Sequence, residues 1–166
     1  MHVAIAQMAK MLRNLDTWMT KAEAMAKAKN FDWNNFATLR LTPDMYTFTK
    51  QVQAACDSAK FTAAYLSGKE APKHPDTETT MAELRARVQT CLHWMETVSE
   101  KDLDGWQDRK VSPMWAQGKW FKGDAYLFQV ALPNFYFHVT TAYDILRHAG
   151  VDIGKMDYLG AVPLQS

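Results

Sequence analysis

The sequence has few of the residues that define the simpler protein classes. Only two cysteines, Cys56 and Cys91, occur in 166 residues, and without a CxxC pair or a larger set they exclude a disulfide framework. Both fall on or beside the apolar stripes of predicted helices, where a cysteine is usually a small, reduced packing residue. Seven glycines and six prolines are too few for a collagen-like or disordered chain. The sequence therefore predicts a globular protein with reduced cysteines.

An excess of one charge and long apolar runs are lacking as well. The 19 basic and 18 acidic side chains leave a formal net charge of +1, which removes the general electrostatic argument for binding nucleic acid or an anionic membrane. No run approaches the ~20 apolar residues of a membrane span. Residues 1–16 contain neither the cationic leader nor the cleavage site of a signal peptide. We therefore expect a cytoplasmic protein with no nucleic-acid and no membrane partner.

Hydrophobic residues, by contrast, make up 48% of the chain, and in four segments they recur at the three- and four-residue spacing of an amphipathic helix. The first predicted helix runs from about His2 to Lys29, with Asn30 as its stop. The second follows Asp44, whose negative charge suits a helix start, and ends at Gly68. Four such helices are predicted in total.

The third predicted helix opens with a capping box formed by Thr80 and Glu83. The fourth has Pro133 in its first turn and ends at Gly150. Amphipathic helices with one apolar stripe each bury those stripes most economically against one another. The sequence therefore predicts an all-α chain, a four-helix bundle in which residues 1–166 form a single domain.

The connections between the helices carry topological information. About a dozen residues separate Gly68 from Thr80, which is enough to return along a helix and more than an antiparallel neighbour needs. This length favours parallel second and third helices, in an up-down-down-up order.

The segment from Asp102 to Lys122 has no helical period but contains three tryptophans, Trp106, Trp115 and Trp120. It predicts a Trp-rich loop or small hairpin that covers one end of the bundle. A short helix over residues 124–132 is expected to precede Pro133. The tail after residue 150 has too many glycines for a helix and enough apolar residues to lie on the bundle.

Three segments resemble a bacterial family known as domain of unknown function 1993. They are Leu41–Lys60 (LTPDMYTFTKQVQAACDSAK), Asp76–Val88 (DTETTMAELRARV) and Leu132–Gly160 (LPNFYFHVTTAYDILRHAGVDIGKMDYLG). The resemblance spans nearly the whole chain. It implies a branch of the DinB/YfiT-like superfamily of proposed metalloenzymes, which are four-helix bundles of up-down-down-up order.

The same resemblance implies where a metal would bind, and this chain departs from the pattern. Characterised superfamily members include thiol-dependent S-transferases and an isomerase, whose divalent metal is held by one histidine on the second helix and two, four residues apart, on the fourth. His138 matches the first position on the fourth helix, but Ala142 stands four residues later and the second predicted helix has no histidine. A catalytic zinc or nickel site usually has three protein ligands. We therefore expect no tightly bound metal, with a divalent cation held around His138 as the alternative.

Polar side chains beside the apolar stripes are the candidates for a site. Asp44, Gln51, Ser58 and Tyr65 fall seven residues apart along the second helix, and His138 flanks the stripe of the fourth. Converging at one edge of the bundle, they would form a small-molecule pocket or a rebuilt metal site. Each also has a plainer interpretation: Asp44 as a helix-start charge, Gln51 and Ser58 as rim polar groups, and His138 as a partly buried, hydrogen-bonded histidine.

Tyr143 is the fourth candidate ligand-binding residue, after Asp44, Gln51 and His138. It flanks the fourth stripe, where its ring can pack while its hydroxyl reaches a partner, and core packing is the alternative interpretation. Asp57 lies outside the stripe of the second helix. For Asp57 we expect solvation, or an ion pair with a tail lysine such as Lys155, rather than catalysis.

Two functions from different classes remain. The first, which we favour, is a small-molecule-binding or scaffold protein that keeps the bundle without the three-histidine centre. The second is a divalent-metal, thiol-dependent S-transferase or isomerase with a site rebuilt around His138. Nucleophilic and phosphate chemistry have no support, because the sequence contains neither a GxSxG elbow nor a glycine-rich phosphate loop.

Aromatic residues outside the stripes favour self-association. Trp33 and the loop around Trp115 supply apolar surface beyond what the bundle needs, and two-fold pairing is the commonest way to bury such surface. We therefore expect a homodimer.

Overall fold

Helices dominate the computed structural model, which describes residues 3–164. The α-helices are α1 (Val3–Ala28), α2 (Phe48–Ser67), α3 (Met81–Glu96), α4 (Gly123–Tyr126), α5 (Leu132–His148) and α6 (Lys155–Leu159). Two short strands are β1 (Lys110–Val111) and β2 (Phe121–Lys122). None of the helices within residues 3–164 has the length and apolar character that a membrane crossing requires.

The predicted apolar stripes form the core. In α1 every residue of the stripe is buried, namely Ile5, Met8, Leu12, Leu15, Met19, Ala22 and Ala26. After α1 the chain turns at Asn30, whose φ of 55° lies in the left-handed region that asparagine tolerates. His2, the predicted start of this helix, lies outside the described residues.

The second helix, α2, begins later than the sequence predicts. Thr47 caps it, because its hydroxyl accepts a hydrogen bond from the backbone amide of Lys50 at 3.4 Å. Asp44 therefore lies in the turn before the helix, where its exposed carboxylate accepts a hydrogen bond from the Thr42 hydroxyl at 2.7 Å. At the other end, Gly68 closes α2 with a φ of 77°, as predicted.

The capping box at the start of α3 is confirmed. The Thr80 hydroxyl accepts a hydrogen bond from the Glu83 amide at 3.2 Å, and the Glu83 carboxylate accepts one from the Thr80 amide at 2.9 Å. These two bonds satisfy amides that a helix start leaves unpaired.

Hydrogen bonds between α2 and α3 join the beginnings of the two helices and, separately, their ends. Gln53 near the start of α2 donates to the Glu78 carboxylate just before α3, at 2.8 Å. Lys69 just after α2 donates to the Thr97 carbonyl just after α3, at 2.6 Å. The two helices therefore run in the same direction.

The other long helices run against these two. Ser58, in the middle of α2, donates to the carbonyl of Ala131 just before α5, at 3.4 Å, whereas Gln51 near the start of α2 contacts the middle of α5. Arg13 in the first half of α1 pairs with Glu96 at the end of α3, at 2.8 Å. Thus α5 is antiparallel to α2, and α1 is antiparallel to α3.

The Trp-rich segment forms the small hairpin, the second of the two predicted alternatives. Strands β1 and β2 are antiparallel, with Val111 opposite Phe121. After the hairpin, α4 leads through a π-helical turn, Leu127–Ala131, directly into α5. Pro133 therefore lies in the first turn of α5 without breaking the helical path, because the wider π turn before it accommodates the missing amide.

The tail contains a helix, α6, so the expectation that its glycines exclude one is wrong. Its glycines flank α6 rather than interrupt it, and the Asp157 carboxylate accepts a hydrogen bond from the Gly154 amide at 2.8 Å. Tyr158 stacks on the buried ring of Trp18 with centroids 5.6 Å apart. The expectation that the tail lies on the bundle is confirmed by this packing.

Candidate functional site

Gln51 on α2 and His138 on α5 form one buried polar pair. Gln51 Oε1 lies 2.8 Å from His138 Nδ1, and Gln51 Nε2 donates to the Tyr46 carbonyl at 3.5 Å. Because the amide nitrogen is used in this way, its oxygen accepts from a protonated Nδ1. Burial lowers the pKa of His138, so the imidazole is neutral at pH 7. The Tyr46 ring lies parallel to it, 6.3 Å away.

The two other residues expected near this pair lie elsewhere. Asp44 makes its hydrogen bond to Thr42 and none to Gln51 or His138. Tyr143 lies on the side of α5 that faces α1, where its ring meets Trp18 edge-on at 5.2 Å. Its hydroxyl donates to the Ile153 carbonyl at 3.3 Å. The structure thus brings two of the four predicted residues together.

The surroundings of His138 do not fit a catalytic metal. Within residues 3–164 no group of three or more His, Cys, Asp or Glu side chains is arranged to hold a metal ion. His138 Nδ1 is engaged with Gln51, and Ala142, one turn further along α5, is buried in the core. A three-ligand site of the kind that retains zinc or nickel is therefore not formed by these residues.

A second buried polar group lies between α2 and α3, and we call it the charge cluster. It consists of Asp57, Lys60, His74, Asp76, Glu78 and Arg87. Arg87 is 3% exposed and Lys60 2%, so both cations are inside the protein. The expectation that Asp57 pairs with Lys155 is wrong. Asp57 Oδ1 instead lies 2.7 Å from both Lys60 Nζ and Arg87 Nη2.

Arg87 holds the charge cluster together. Its Nη1 lies 2.6 Å from Asp76 Oδ1 and 2.9 Å from Glu78 Oε1. Lys60 Nζ reaches His74 Nδ1 at 2.8 Å. Three carboxylates therefore surround two buried cations, which is the mutual pairing that buried charges require.

The protonation states of the cluster follow from burial and from its ion pairs. Burial alone would raise the pKa of Glu78, but hydrogen bonds from Arg87 and Gln53 bring it below its ordinary value. Burial, together with the neighbouring charges of Lys60 and Arg87, lowers the pKa of His74. Glu78 is therefore ionised and His74 neutral at pH 7, so His74 Nδ1 accepts from Lys60.

The two cysteines do not add a reactive group. Both are buried and free, and the Cys91 thiol points at the Cys56 carbonyl with a sulfur–oxygen distance of 3.8 Å. The contact with Cys91 and burial raise the pKa of the Cys56 thiol. For Cys56, a buried thiol of raised pKa is a poor nucleophile, and the Cys91 thiol is inaccessible because it is fully buried. Both observations agree with the predicted packing role.

A cavity of about 1140 Å³ lies on the side of α2 that the charge cluster borders. Residues 68–74 after α2, the β1 segment and residues 126–134 form the rest of its wall. Its volume is somewhat above the range of about 300–1,000 Å³ typical of ligand sites. Of the predicted column on the second helix, Ser58 and Tyr65 line this cavity, whereas the Gln51–His138 pair does not.

Aromatic rings form much of the cavity wall. Tyr65 meets Tyr126 edge-on at 5.6 Å and lies nearly parallel to Phe61 at 6.0 Å. Burial raises the pKa of Tyr126 to about 12, so its phenol stays protonated at neutral pH. Trp115 on the hairpin is 62% exposed. The cavity thus leaves apolar ring surface open to a bound molecule.

Comparisons with known proteins place the chain in a family. A family model described as Domain of unknown function (DUF1993) matches residues 1–159. The chain belongs to the DUF1993 family. It is also similar to a DinB family member protein from Shewanella denitrificans, whose crystal structure was determined at 1.83 Å resolution; the two are 45% identical with a TM-score of 0.92, over 98% of this chain and 92% of that one. No curated protein matches the chain.

The resemblance inferred from three segments of sequence is therefore confirmed, and this DUF1993 protein shares its mostly helical fold with a DinB family member. The charge cluster and the cavity were not anticipated from the sequence. The sequence contains one indication of the charge cluster. Lys60 directly follows Ala59 and Arg87 directly precedes Val88, and both Ala59 and Val88 belong to predicted apolar stripes. A cation in that position either extends to solvent along its alkyl stem or needs acids beside it, and here Asp57, Asp76 and Glu78 supply them.

Proposed function

We propose that this DUF1993 protein is a four-helix bundle of up-down-down-up order that binds a small molecule in the cavity beside α2. The observation that carries the proposal is the cavity itself, with its volume of about 1140 Å³ and its aromatic wall. Concave, largely apolar pockets with a few polar groups are the usual form of a ligand site.

The helix contacts support the topology. The parallel contacts of α2 with α3, and the antiparallel contacts of α1 with α3 and of α5 with α2, favour this order. In this order the chain between α2 and α3 must return along the bundle. Residues 69–74 of that return form one side of the cavity, so the topology and the proposed site are linked.

The cavity supports binding better than the Gln51–His138 pair does. The polar atoms of that pair are directed at each other and at the Tyr46 carbonyl, and both side chains are buried. The cavity, by contrast, leaves ring surface of Trp115 open and includes the hydroxyls of Ser58 and Tyr65 in its lining.

Titration with two fluorescent probes tests the proposal. N-phenyl-1-naphthylamine is neutral, and 8-anilinonaphthalene-1-sulfonate has the same ring frame with one added sulfonate. We expect at least one of them to bind saturably, with one molecule per chain. Ala54→Trp, which places an indole ring in the cavity lining, should abolish that binding.

Ala86→Trp is the matched control, because Ala86 is an exposed alanine on α3 that does not line the cavity. It should bind the probe like the wild type. Absence of saturable binding in the wild type, or equal binding in the Ala54→Trp variant, would contradict the proposed function.

We also propose that the protein forms a homodimer. Trp33, one of the two aromatic features expected to drive association, is half-buried, with the Arg85 guanidinium 5.2 Å from its ring centre. The hairpin retains the other, since Met114 is 95% and Trp115 62% exposed. Light scattering at micromolar concentration should report twice the chain mass of 18.9 kDa, and a monomer mass would reject the dimer.

A further inference from the structure

The cavity is lined by more cations than anions. Its cationic residues are Lys60, Lys69, Lys73, Arg109 and Lys110, and its acidic residues are Asp57 and Glu70. Asp57 is fully engaged with Lys60 and Arg87 inside the charge cluster. Glu70 lies exposed at the rim. The cavity therefore has an excess of positive charge, although the whole chain is close to neutral.

Two of these cations are already neutralised by acids. Lys60 lies 2.7 Å from the Asp57 carboxylate, and Lys69 lies 2.8 Å from Asp102. The Lys69 ion pair and the hydrogen bonds from Ser99 lower the pKa of Asp102 to about 2, so this acid is charged at neutral pH. The excess charge therefore resides on Arg109, Lys73 and Lys110.

Arg109 is the best placed of the three. Its Nη2 donates to the backbone carbonyls of Asp102 and Asp104, both at 3.3 Å, which fixes the guanidinium without neutralising it. Within residues 3–164 no carboxylate lies within ion-pair distance of it. The side chain is half-buried, so its charge is less screened by water than that of an exposed residue.

Gly68 makes room for this guanidinium. It has a φ of 77° at the end of α2, and a Cβ atom there would collide with Arg109 Nη1. Backbone therefore lies on two sides of the guanidinium: the carbonyls of Asp102 and Asp104 at Nη2, and Gly68 beside Nη1. A rigid guanidinium with unused donors is suited to a carboxylate, sulfonate or phosphate oxygen.

We propose that the ligand of this cavity is an aromatic or flat apolar molecule with one anionic group, which Arg109 binds while the rings of Phe61, Tyr65 and Trp115 contact its apolar body. Lys73 and Lys110 add to the positive potential at the rim. This inference rests on the proposed function, and it adds the charge and shape of the ligand.

The same two probes separate the inference from the function, because they differ only in the sulfonate. The wild type should bind 8-anilinonaphthalene-1-sulfonate about tenfold more tightly than N-phenyl-1-naphthylamine, a ratio that corresponds to about 1.4 kcal/mol. Arg109→Gln should remove this preference and leave the affinity for the neutral probe unchanged. Lys119→Gln, which changes an exposed lysine of the hairpin that does not line the cavity, should retain the preference.

The other outcomes distinguish a failure of the anion inference from a failure of the proposed function. Equal affinity of the wild type for both probes would overturn the inference about the anion while the proposed function stands, and a preference that survives Arg109→Gln would overturn the role of Arg109. Failure of both probes to bind would overturn the function and the inference with it. If Arg109→Gln does not fold, Lys110→Gln and increasing salt replace it, and both should weaken only the anionic probe.

Discussion

The Gln51–His138 pair and the charge cluster are both buried against α2, but their polar groups are satisfied in different ways. The pair is neutral and needs a single shared hydrogen bond between two side chains. The cluster places Lys60 and Arg87 among three carboxylates, so that each charge depends on the others. Removing a member of the pair leaves one unpaired dipole, whereas removing Arg87 from the cluster leaves the carboxylates of Asp76 and Glu78 without their partner.

The largest expected effect is therefore in the cluster. Arg87→Met leaves Glu78, which is 13% exposed, and Asp76, which is 41% exposed, without their guanidinium. Breaking a fully buried ion pair costs about 3–5 kcal/mol, and because water reaches these two acids we expect a loss of about 2–3 kcal/mol. Arg85→Met is the matched control on the same helix. Arg85 pairs with Asp16 and Glu23, but its side chain is 29% exposed, so its loss should cost about 1 kcal/mol or less.

Urea unfolding followed by circular dichroism measures both free energies of unfolding. Equal losses for the two variants would show that the cluster is no more dependent on its arginine than a surface network is.

A smaller effect is expected at the end of α2, next to the cavity. Gly68→Ala places a side chain at a φ of 77° and against Arg109, which should cost more than the roughly 1–2 kcal/mol of the left-handed conformation alone. Gly105→Ala is the control, because Gly105 has a φ of 66° but no atom near its missing Cβ. The difference between the two free energies isolates the close approach of Arg109, and no difference would mean that the guanidinium moves aside without cost.

The pH dependence of the free energy of unfolding tests the neutral Gln51–His138 pair. The pKa of His138 is lowered in the folded protein below its unfolded value of 6.5, so the unfolded chain takes up protons more readily. This contribution to stability is fully present above pH 6.5 and is lost as the pH falls through the folded pKa.

His138→Gln keeps a donor for Gln51 and removes the titration. Its free energy of unfolding should therefore fall less between pH 7.5 and pH 5.5 than that of the wild type. His148→Gln, at an exposed histidine near the end of α5, should fall like the wild type. An unchanged pH dependence in His138→Gln would show that burial does not perturb this imidazole.

Much of the fold could be predicted from the sequence, because apolar spacing determines which face of each helix is buried. The start of α2 was misplaced, since Asp44 and Thr47 both suit a helix start and only the hydrogen bond to the Lys50 amide distinguishes them. The continuous path from α4 to α5 was missed because a proline is ordinarily a helix boundary, and a π turn has no sequence signal.

The candidate site was harder to predict for a physical reason. The resemblance stated from the sequence implied a site around His138, and periodicity placed Gln51 beside it. The charge cluster joins residues of α2 and α3 with His74 and Asp76 from the connection between them. Such contacts depend on the path of that connection, which helical periodicity does not determine.

Metal content is expected to be the least changed property. Elemental analysis of protein purified without chelator should find no stoichiometric zinc, nickel or iron, and His138→Ala should not alter the result, because His138 and Gln51 alone lack the ligands for strong retention. A stoichiometric metal that disappears in His138→Ala would favour the thiol-dependent enzyme instead.

The most direct test compares the Gln51–His138 pair with the cavity that the charge cluster borders, in a single titration with 8-anilinonaphthalene-1-sulfonate. If the cavity beside α2 is the ligand site, His138→Ala should retain the wild-type dissociation constant and Ala54→Trp should lose saturable binding. Loss of binding in His138→Ala together with unchanged binding in Ala54→Trp would place the site at the Gln51–His138 pair and contradict the account.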